Sequence, residues 1–330
     1  MTFLLAADAG GTSTRAVALD REGRALGYGR SGAGNPTAAG TSEALAAVGR
    51  ACELALGGFP RDALDQCATA VIALAGVQTA QFRDQLVASL SALGCRQVVL
   101  GHDLLAMFHS GTPRDDGYVL VGGTGTIAGR VVGGRLERVV GGHGWLLGDA
   151  GGGYWIGRRV ARAVIASLDG QAPPTALTGL VLEAVGVQAD LSTSSGREDA
   201  MKQLVPALYA RRPVSLAAFA PLAFAVHEDP VAREILVAAS VVLADMVRAV
   251  RVPELPGPLV VGGSVVVRGL LEAPDGLRAE LAPLADVEPI RVSDGLVGAA
   301  VLTLKAAGVS VDETLFSTLR AEITKVENDA

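Results

Sequence analysis

The sequence predicts a mixed α/β protein organised around two glycine-rich turns. Residues 8–13 read DAGGTS and follow an apolar run, and residues 122–126 read GGTGT and follow another. Strands and amphipathic helices alternate between and beyond these turns, which is typical of a mixed α/β sheet. The chain has 330 residues, 50% of them hydrophobic, and single cores stop growing at about 250–300 residues. We therefore expect two lobes, and the repeated strand-and-turn unit suggests that they are related.

The first third of the chain is expected to form one sheet. The period of the apolar residues predicts an antiparallel hairpin, a third strand, and then helices alternating with strands. We place strands at 3–7, 15–20, 23–30, 67–73 and 97–101, and helices at 41–56, at 79–93 and from 103 onward.

Helices dominate after the middle of the chain. Amphipathic patterns predict them at 154–168, 175–185, 196–211, 214–228 and 229–250. A buried strand at 259–265 carries a Gly-Gly-Ser turn, and a short strand at 287–292 should lie at a sheet edge because Pro289 cannot donate to a ladder. Ser293 is expected to cap a helix that begins at 294, and a last helix is expected at 312–326.

The composition argues against several classes of protein. A net charge of −6 and the lack of a basic run argue against general nucleic-acid binding. The apolar runs are short and no basic segment precedes the first, so we expect no spanning helix and no signal peptide, and a cytoplasmic location. The lysines adjoin no glycine loop, which excludes a Walker A site. Cys52, Cys67 and Cys95 fit neither a disulfide framework nor a CxxC metal site, and we interpret them as buried thiols.

The first turn is a candidate phosphate site. Gly10 and Gly11 would expose backbone N–H groups in a concave turn, and Thr12 and Ser13 add hydroxyl donors. Asp8 suits the hydrated Mg²⁺ that accompanies a nucleotide. An ordinary Gly-Gly hairpin with a turn-favouring aspartate is the alternative.

Two polar residues follow predicted turns or strands of the same region. Asn35, fixed before a proline, could hydrogen-bond a sugar hydroxyl, or it could be a plain turn residue. Asp103 follows a strand, where ligands of open α/β sheets collect, and could act as a general base. It could equally cap the next helix, and we interpret the adjacent His102 as structural.

The central stretch, residues 117–157, is the densest in glycine. It holds GGTGT at 122–126, GGHG at 141–144, and an acid, Asp149, between small residues. We interpret it as a phosphate loop and a small-molecule pocket joined by a hairpin, and a merely glycine-rich hairpin is the alternative. Residues 262–264 are a second place where a nucleotide could lie on exposed backbone.

In this order, the motifs resemble those of the two-lobed actin-like ATPase superfamily, which includes the sugar kinases. The resemblance covers residues 3 to 300 and ends in the small-residue helix at 298–300. Residues 122–156 look like the N-acetylglucosamine kinases of the BadF/BadG/BcrA/BcrD ATPase family. Members of that family follow a GTG loop with Gly-Gly-Trp-Gly, then Gly-Asp-Glu-Gly and an aromatic helix start.

This resemblance implies an α/β, ribonuclease H-like fold with mixed five-stranded sheets and helices on both faces. It implies a small lobe at 1–110, with a C-terminal helix at about 308–330 packed back on it, and a large lobe at 111–307. It also implies ATP and Mg²⁺ as cofactors, a small-molecule sugar as substrate, and a homodimer.

The resemblance further implies a role for each motif. Asp8 would hold Mg²⁺ through water, and Asp103 would be the general base. The residues expected at the nucleotide are Gly10, Gly11, Thr12, Ser13, Gly123, Thr124, Gly125, Gly262, Gly263 and Ser264. Those expected at the sugar are Asn35, Asp103, Gly144, Trp145, Asp149 and Ala150. Phosphoryl transfer needs positioning, a metal and one carboxylate, and no covalent nucleophile, which agrees with this set.

Two departures from the family pattern fall in the expected sugar pocket. His143 stands where the family has Trp, with Trp145 displaced by two, and Ala150 stands where the family has Glu. From these changes we predict a glucosamine kinase that makes glucosamine 6-phosphate from ATP and glucosamine. The alternatives are an N-acetylglucosamine kinase, a glucose-tolerant hexokinase and, more distantly, an ATPase activator or a sugar-responsive regulator.

Overall fold

The computed structural model describes residues 3–58, 67–76, 79–188, 193–194, 197–273, 276–284 and 288–329. Among them, ten strands form two five-stranded sheets and two more form a small hairpin. The first sheet contains β1 (Phe3–Ala9), β2 (Thr14–Leu19), β3 (Ala25–Ser31), β4 (Cys67–Leu74) and β5 (Gln97–His102). The second contains β6 (Gly117–Gly122), β7 (Thr126–Val132), β8 (Arg135–Gly141), β11 (Leu259–Gly262) and β12 (Ile290–Val292), and the hairpin joins β9 (Thr193–Ser194) to β10 (Arg197–Glu198).

The two large sheets have the same topology. In the first, the order is β3-β2-β1-β4-β5, with β1 antiparallel to β2 and parallel to β4. In the second, the order is β8-β7-β6-β11-β12, with β6 antiparallel to β7 and parallel to β11. Each sheet therefore combines a three-stranded meander with two parallel strands, which confirms the predicted mixed five-stranded sheets.

Helices cover both sheets. In the first part of the chain they are α1 (Pro36–Ala39), α2 (Thr41–Leu56), α3 (Ala80–Ala92) and α4 (Asp103–Gly111). Those that follow β8 are α5 (Gly153–Leu168), α6 (Leu177–Val185), α7 (Asp199–Tyr209), a 3₁₀ helix (Pro213–Phe219), α8 (Ala220–Ala225) and α9 (Pro230–Val250). The rest are a π-helical turn (Val266–Leu270), α10 (Leu277–Leu281), α11 (Leu296–Ala306) and α12 (Glu313–Asn328). No helix among the described residues is both long and apolar enough to cross a bilayer.

The first sheet is buried on both faces, which explains the unbroken apolar run of β1. Phe3 and Leu5 point into a core shared with α2 and α3, and Leu4 and Ala6 point into a core shared with α11 and α12. The described contacts thus place the last two helices against the first sheet. The lobe limits at 1–110, 111–307 and 308–330 stay a prediction.

Helix α4 joins the two sheets. Its Leu104 and Phe108 pack in one core with strands of the second sheet, and its Ala106 packs in the core of the first. It also crosses α11 at very short range, because a Cβ on Gly298 would overlap the carbonyl group of Ala106. The Gly298 backbone N–H donates to Ser110 Oγ at 2.9 Å, which fixes this crossing.

Several predicted elements need correction. The helix predicted at 214–228 is instead the 3₁₀ helix followed by α8, which ends at Ala225, because Pro221 in the first turn of α8 has no N–H to continue the preceding turn. The strand predicted at 259–265 ends at Gly262, and the backbone turns helical after it. Helix α7 begins at 199, and residue 196 of the predicted helix lies outside the described residues, as does residue 287 of the predicted strand. Helix α1 was not predicted at all.

Candidate active site

The first glycine turn connects β1 to β2 with its tip open to solvent. The Gly10 N–H donates to the Ser13 carbonyl at 3.0 Å, which closes the turn, while Gly11 and Thr12 are exposed. A Cβ on Gly11 would meet no protein atom within 4 Å, and its φ lies outside the left-handed region. The fold itself therefore does not require glycine at 11, so the missing side chain leaves room for a ligand to approach the backbone.

Asp8, at the end of β1, lies at the centre of an acidic cluster. Its Oδ2 accepts the Gly295 N–H at 3.0 Å, although 287 positions separate the two residues. Burial, and then the negative charge of Asp294, raise the pKa of Asp8 to about 7, and Asp103 adds to the effect. Arg15, the cross-strand partner of Asp8, opposes it and lies 3.8 Å from Asp294. The cluster therefore contains three carboxyl groups, those of Asp8, Asp103 and Asp294, and a nearby cation, Arg15.

Asp294 and Gly295 were not among the predicted site residues. The N-cap residue of α11 is Gly295, and Asp294 Oδ1 accepts the N–H of Leu296, the first helical residue, at 3.0 Å. Ser293, the predicted cap, instead donates its hydroxyl to Asp294 Oδ2 at 2.9 Å. The available signal was the Ser-Asp-Gly triplet directly after a strand and before a small-residue helix, but nothing local connects that triplet to β1.

Asp103 is the first residue of α4. The N-cap residue of the helix is His102, and the Leu104 N–H lies 3.1 Å from His102 Nδ1 and 2.9 Å from Asp103 Oδ1, so Asp103 also contributes to capping the helix. The Asp103 side chain is 29% exposed, and its Oδ1 lies 2.8 Å from His102 Nδ1. A carboxylate in the first turn of a helix is stabilised by the helix dipole, and this one still presents surface to solvent.

Asn35 lies beside the first turn and forms hydrogen bonds that hold the local backbone. Its backbone N–H donates to the Gly10 carbonyl at 3.2 Å, and its Oδ1 caps α1 by accepting the Thr37 N–H at 2.8 Å. The side chain lies against Gly76, where a Cβ would overlap Oδ1. The structure thus brings Asn35 to the Asp8 turn, and its role toward a sugar stays a prediction.

The second glycine turn connects β6 to β7 and is held against α5. Gly123 and Thr124 accept backbone N–H groups of Gly153 and Tyr154 at 2.8 and 3.1 Å. A Cβ on Gly123 would meet no atom within 4 Å, whereas one on Gly125 would overlap the carboxylate of Asp149. The turn therefore has free space beside Gly123, whereas Gly125 is in close contact with Asp149.

Asp149 is the one described non-glycine residue in the left-handed region, with φ of 57°. Its Oδ1 is buried and has no hydrogen-bond partner. Burial raises the pKa of Asp149, and hydrogen bonds from the backbone N–H groups of Thr126 and Gly144 oppose the rise. Backbone strain and an unmatched buried acceptor in one residue are typical of a ligand site.

The neighbours of Asp149 meet different surroundings. The Ala150 carbonyl accepts the Thr126 hydroxyl at 3.0 Å. The Trp145 ring packs edge-on against Tyr154 with centroids 5.2 Å apart. Gly144 has φ of 81° and is exposed. Asp149 and Ala150 thus contact the second turn, while Trp145 faces α5.

The Gly-Gly-Ser segment after β11 lies directly on the second turn. Gly263 has φ of 85°, and a Cβ there would overlap the backbone of Gly122. Gly262 is packed against Met107 of α4, and Ser264 is exposed. The segment leads into the π-helical turn, an irregularity that is frequent at functional sites.

The predicted site residues therefore form two groups. One contains Asp8, the first turn, Asn35 and Asp103; the other contains the second turn, Gly144, Asp149, Ala150 and the 262–264 segment. Within the described ranges, no hydrogen bond or ion pair joins one group to the other. Helix α4, with Asp103 at its start, lies between their two sheets.

The model of the BadF/BadG/BcrA/BcrD ATPase family matches residues 7–303, which include both groups. The chain belongs to this family. A curated N-acetyl-D-glucosamine kinase of Dictyostelium discoideum is 28% identical over 284 residues, 80% of this chain and 86% of that protein. An N-acetylmuramic acid/N-acetylglucosamine kinase of Clostridium acetobutylicum is 30% identical over 124 residues, which are 36% of this chain and only 40% of that protein.

A solved structure gives the same result for the fold. A Chromobacterium violaceum protein assigned as an N-acetylglucosamine kinase is 25% identical, with a TM-score of 0.72 over 92% of this chain and 99% of that chain. This confirms the two-lobed actin-like ATPase fold, and membership of the BadF/BadG/BcrA/BcrD family implies the use of ATP.

The Asp8 cluster fits the Mg²⁺ that accompanies ATP in such a site. The cluster offers carboxylate oxygens, and burial together with the negative charges of Asp294 and Asp103 raises the pKa of Asp8, so a cation would stabilise its ionised form. Among the described residues, no three His, Cys, Asp or Glu side chains come together to enclose a metal ion. That agrees with Mg²⁺, which keeps several waters and is held by one or two carboxylates together with substrate phosphates.

Proposed function

We propose that the chain is an ATP-dependent sugar kinase that transfers the γ-phosphoryl group of ATP to the 6-hydroxyl of glucosamine. The observation that carries the proposal is the presence of two open glycine turns on matching strands, one beside Asp8 and one beside Asp149. Turns of this kind offer backbone N–H groups to phosphate oxygens, and phosphoryl transfer requires little beyond positioning and charge neutralisation.

Asp103 is the proposed general base. In the reaction, the sugar O6 forms a bond to the γ-phosphorus, the bond from that phosphorus to the ADP oxygen breaks, and the hydroxyl proton passes to the Asp103 carboxylate. The open surface of this carboxylate and its place at the start of the helix between the sheets support the role. Mg²⁺, held through Asp8, would neutralise charge on the phosphates.

The acceptor is assigned from the surroundings of Asp149. Its buried Oδ1 lacks a donor, and a 2-ammonium group supplies donors in a charge-assisted hydrogen bond. An acetamide in its place needs a partner for its carbonyl and a slot for its methyl, and Ala150 offers no polar side chain where relatives carry Glu. Glucosamine therefore matches the groups that line this part of the chain.

N-acetylglucosamine is the second candidate acceptor, and the curated relatives support it. Both the Dictyostelium and the Clostridium proteins are named for action on this sugar. The small side chain of Ala150 would also leave room for an acetyl group. The two acceptors predict opposite orders of kcat/KM, so one experiment separates them.

The test is a steady-state assay of ADP release with MgATP and three sugars. We expect kcat/KM to be highest for glucosamine, lower for N-acetylglucosamine, and lower again for glucose, because an unmatched buried polar group costs about 1–3 kcal/mol. A higher kcat/KM for the acetylated sugar would reject glucosamine and keep the kinase. No sugar-dependent ADP release with any of them would reject the kinase.

The cysteines argue against the ATPase-activator alternative. All three are free and buried, and they lie in the core between the first sheet and α2 and α3. An iron–sulfur cluster is held by thiolates, and these thiols are enclosed by apolar side chains. Their burial confirms the interpretation from the sequence. The homodimer and the cytoplasmic location stay predictions.

A further inference from the structure

A pocket of about 660 Å³ lies beside the loop that leads to Asp149, and Trp145 is the one predicted site residue among its described lining residues. Its walls are the first turns of α5, the start of α9, and the loop that carries Trp145 and Leu146. Three arginines line it, Arg158, Arg159 and Arg162, and Glu234 is the one acid among the described lining residues.

The helical repeat places the arginines side by side. Trp155, Arg158, Arg159 and Arg162 follow the i, i+3, i+4, i+7 spacing of one helix face. The buried residues of α5, such as Val160 and Val164, lie on the other face and pack in the core of the second sheet. Packing of α5 therefore directs all three guanidinium groups toward the pocket.

These charges are not balanced by the fold. None of the three arginines forms an ion pair with an acid in the described part of the chain, and Arg159 lies over the ring of Trp155 at 3.9 Å. Like charges at this helical spacing repel one another. The whole chain has a net charge of −6, so this cluster is opposite in sign to the protein that carries it. An anion in the pocket would relieve the repulsion.

We propose that this pocket binds the phosphate ester of a sugar. Arginine recognises phosphate through paired N–H donors, and a phosphate monoester brings about two negative charges to the three cations. Trp145, Tyr154 and Trp155 supply flat apolar faces beside them, which suit the C–H face of a sugar ring. The volume lies within the range of about 300–1,000 Å³ that is usual for small-molecule sites.

The choice of a sugar ester rests on the proposed function, whose product is a sugar phosphate. The pocket shares Trp145 and Gly148 with the loop that leads to Asp149. A product bound here would contact this loop without occupying the groups assigned to the reaction.

The experiment is a fluorescence titration of the full-length protein with glucosamine 6-phosphate. The chain has two tryptophans, and both line the pocket, so their emission reports on it directly. The pocket variant is Arg158→Ala/Arg162→Ala. The control is Arg211→Ala/Arg212→Ala, which removes two exposed arginines outside the pocket. A third variant, Arg158→Lys/Arg162→Lys, keeps the charge and removes the paired donors.

We expect the pocket variant to bind the ester at least tenfold more weakly, the lysine variant to fall between, and the control to match the wild type. Unphosphorylated glucosamine should bind equally to all four proteins. Wild-type affinity in the pocket variant would overturn the site, and equal affinity for inorganic phosphate would overturn the sugar assignment. A shift to a smaller sedimenting species in the pocket variant, with ester binding unchanged, would show instead that a second copy covers this face.

Binding and turnover separate this inference from the proposed function. A protein that phosphorylates no sugar but binds the ester through Arg158 and Arg162 would keep the pocket and reject the kinase. An active glucosamine kinase without arginine-dependent binding would keep the kinase and reject the pocket.

Discussion

Asp8 and Val121 occupy equivalent places in the two sheets, since each is the residue before the last of a central strand that leads into a glycine turn. Their cross-strand partners differ: Arg15 faces Asp8, and Ile127 faces Val121. One register position thus holds a charged pair in the first sheet and an apolar pair in the second. A repeated scaffold can therefore differ in charge at equivalent positions while keeping the same strand order and the same turns.

The turns themselves differ in how they are held. The first is closed by its own Gly10 to Ser13 hydrogen bond and has an exposed tip. The second is bonded to the start of α5 and lies under Gly263. Both turns are held by tertiary hydrogen bonds, since the Gly34 and Asn35 N–H groups donate to the Gly10 carbonyl, but the tip of the first turn is free of packing.

The sharpest test of the comparison exchanges the two equivalent residues for alanine. Asp8→Ala should abolish turnover, a loss of more than about a hundredfold in kcat, because the charge that holds the metal is removed. Val121→Ala should keep kcat within about threefold and lower only the stability, by about 1 kcal/mol. Kinetic assays and thermal melting check both. Full activity of Asp8→Ala with MgATP would show that the assignment of the first turn is wrong.

A second test separates chemistry from capping at the start of α4. Asp103→Asn should lower kcat by about 10²–10⁴-fold with a smaller effect on the KM for ATP, as for loss of a general base. His102→Ala should instead lower the free energy of unfolding by about 1 kcal/mol at most, because it removes one of the two acceptors near the Leu104 N–H, and should retain most of kcat. A loss below about threefold in Asp103→Asn would leave the residue without a catalytic role.

A third test compares a glycine that is tightly packed, Gly263, with one that has free space around it, Gly11. Gly263→Ala should lower the free energy of unfolding by at least about 2 kcal/mol, because the new Cβ would overlap Gly122 and the left-handed φ would be strained. Gly11→Ala should change stability by less than about 0.5 kcal/mol, since it meets no protein atom. It should instead raise the KM for ATP about tenfold, equivalent to about 1.4 kcal/mol of binding. Urea denaturation and ATP saturation curves give the two readouts, and an unchanged KM would contradict the phosphate role of the turn.

A fourth test concerns His109, in the helix between the sheets. Burial, and then Lys305, lower the pKa of His109 to about 4, while Asp115 and the Thr112 carbonyl oppose the shift. The unfolded chain takes up this proton below a pH of about 6.5, before the folded chain does, so stability is lost as the pH falls from there to about 4. The loss should be roughly 3 kcal/mol. His109→Phe should flatten that part of the stability profile, and an identical slope in both proteins would contradict the assignment.

The sequence predicted the parts of the fold that depend on local pattern. Both glycine turns, the helix at 41–56 and the edge strand before Ser293 follow from periodicity, turn chemistry and the fixed geometry of proline. The 3₁₀ helix was not predicted, because the apolar pattern of this segment continues through Pro221. Only the backbone hydrogen bonds show that the helix changes type there. Helix α1 was missed because Asn35 reads equally well as a turn residue and as a cap.

The site was predictable only where its residues lie near the turns in the chain. Asp8, Asp103 and Asp149 are each recognisable beside a strand end or among glycines. Asp294 and Gly295 are not, because their importance comes from a contact across the whole chain. The arginines of α5 read as an ordinary polar helix face, since the sequence does not show that the neighbouring helix and loop enclose them in a pocket with a single acid, Glu234, among its described lining residues.

The hydrogen bond from Gly295 to Asp8 also sets an order of events during synthesis. Its partners are 287 positions apart, and a ribosome adds about 5–20 residues per second, so roughly 15–60 s pass between their appearances. During that interval the first strand and its turn can form, but the backbone donor that fixes the Asp8 carboxylate is not yet made. A nascent chain therefore lacks the hydrogen bond that fixes the Asp8 carboxylate until the residues before α11 have emerged.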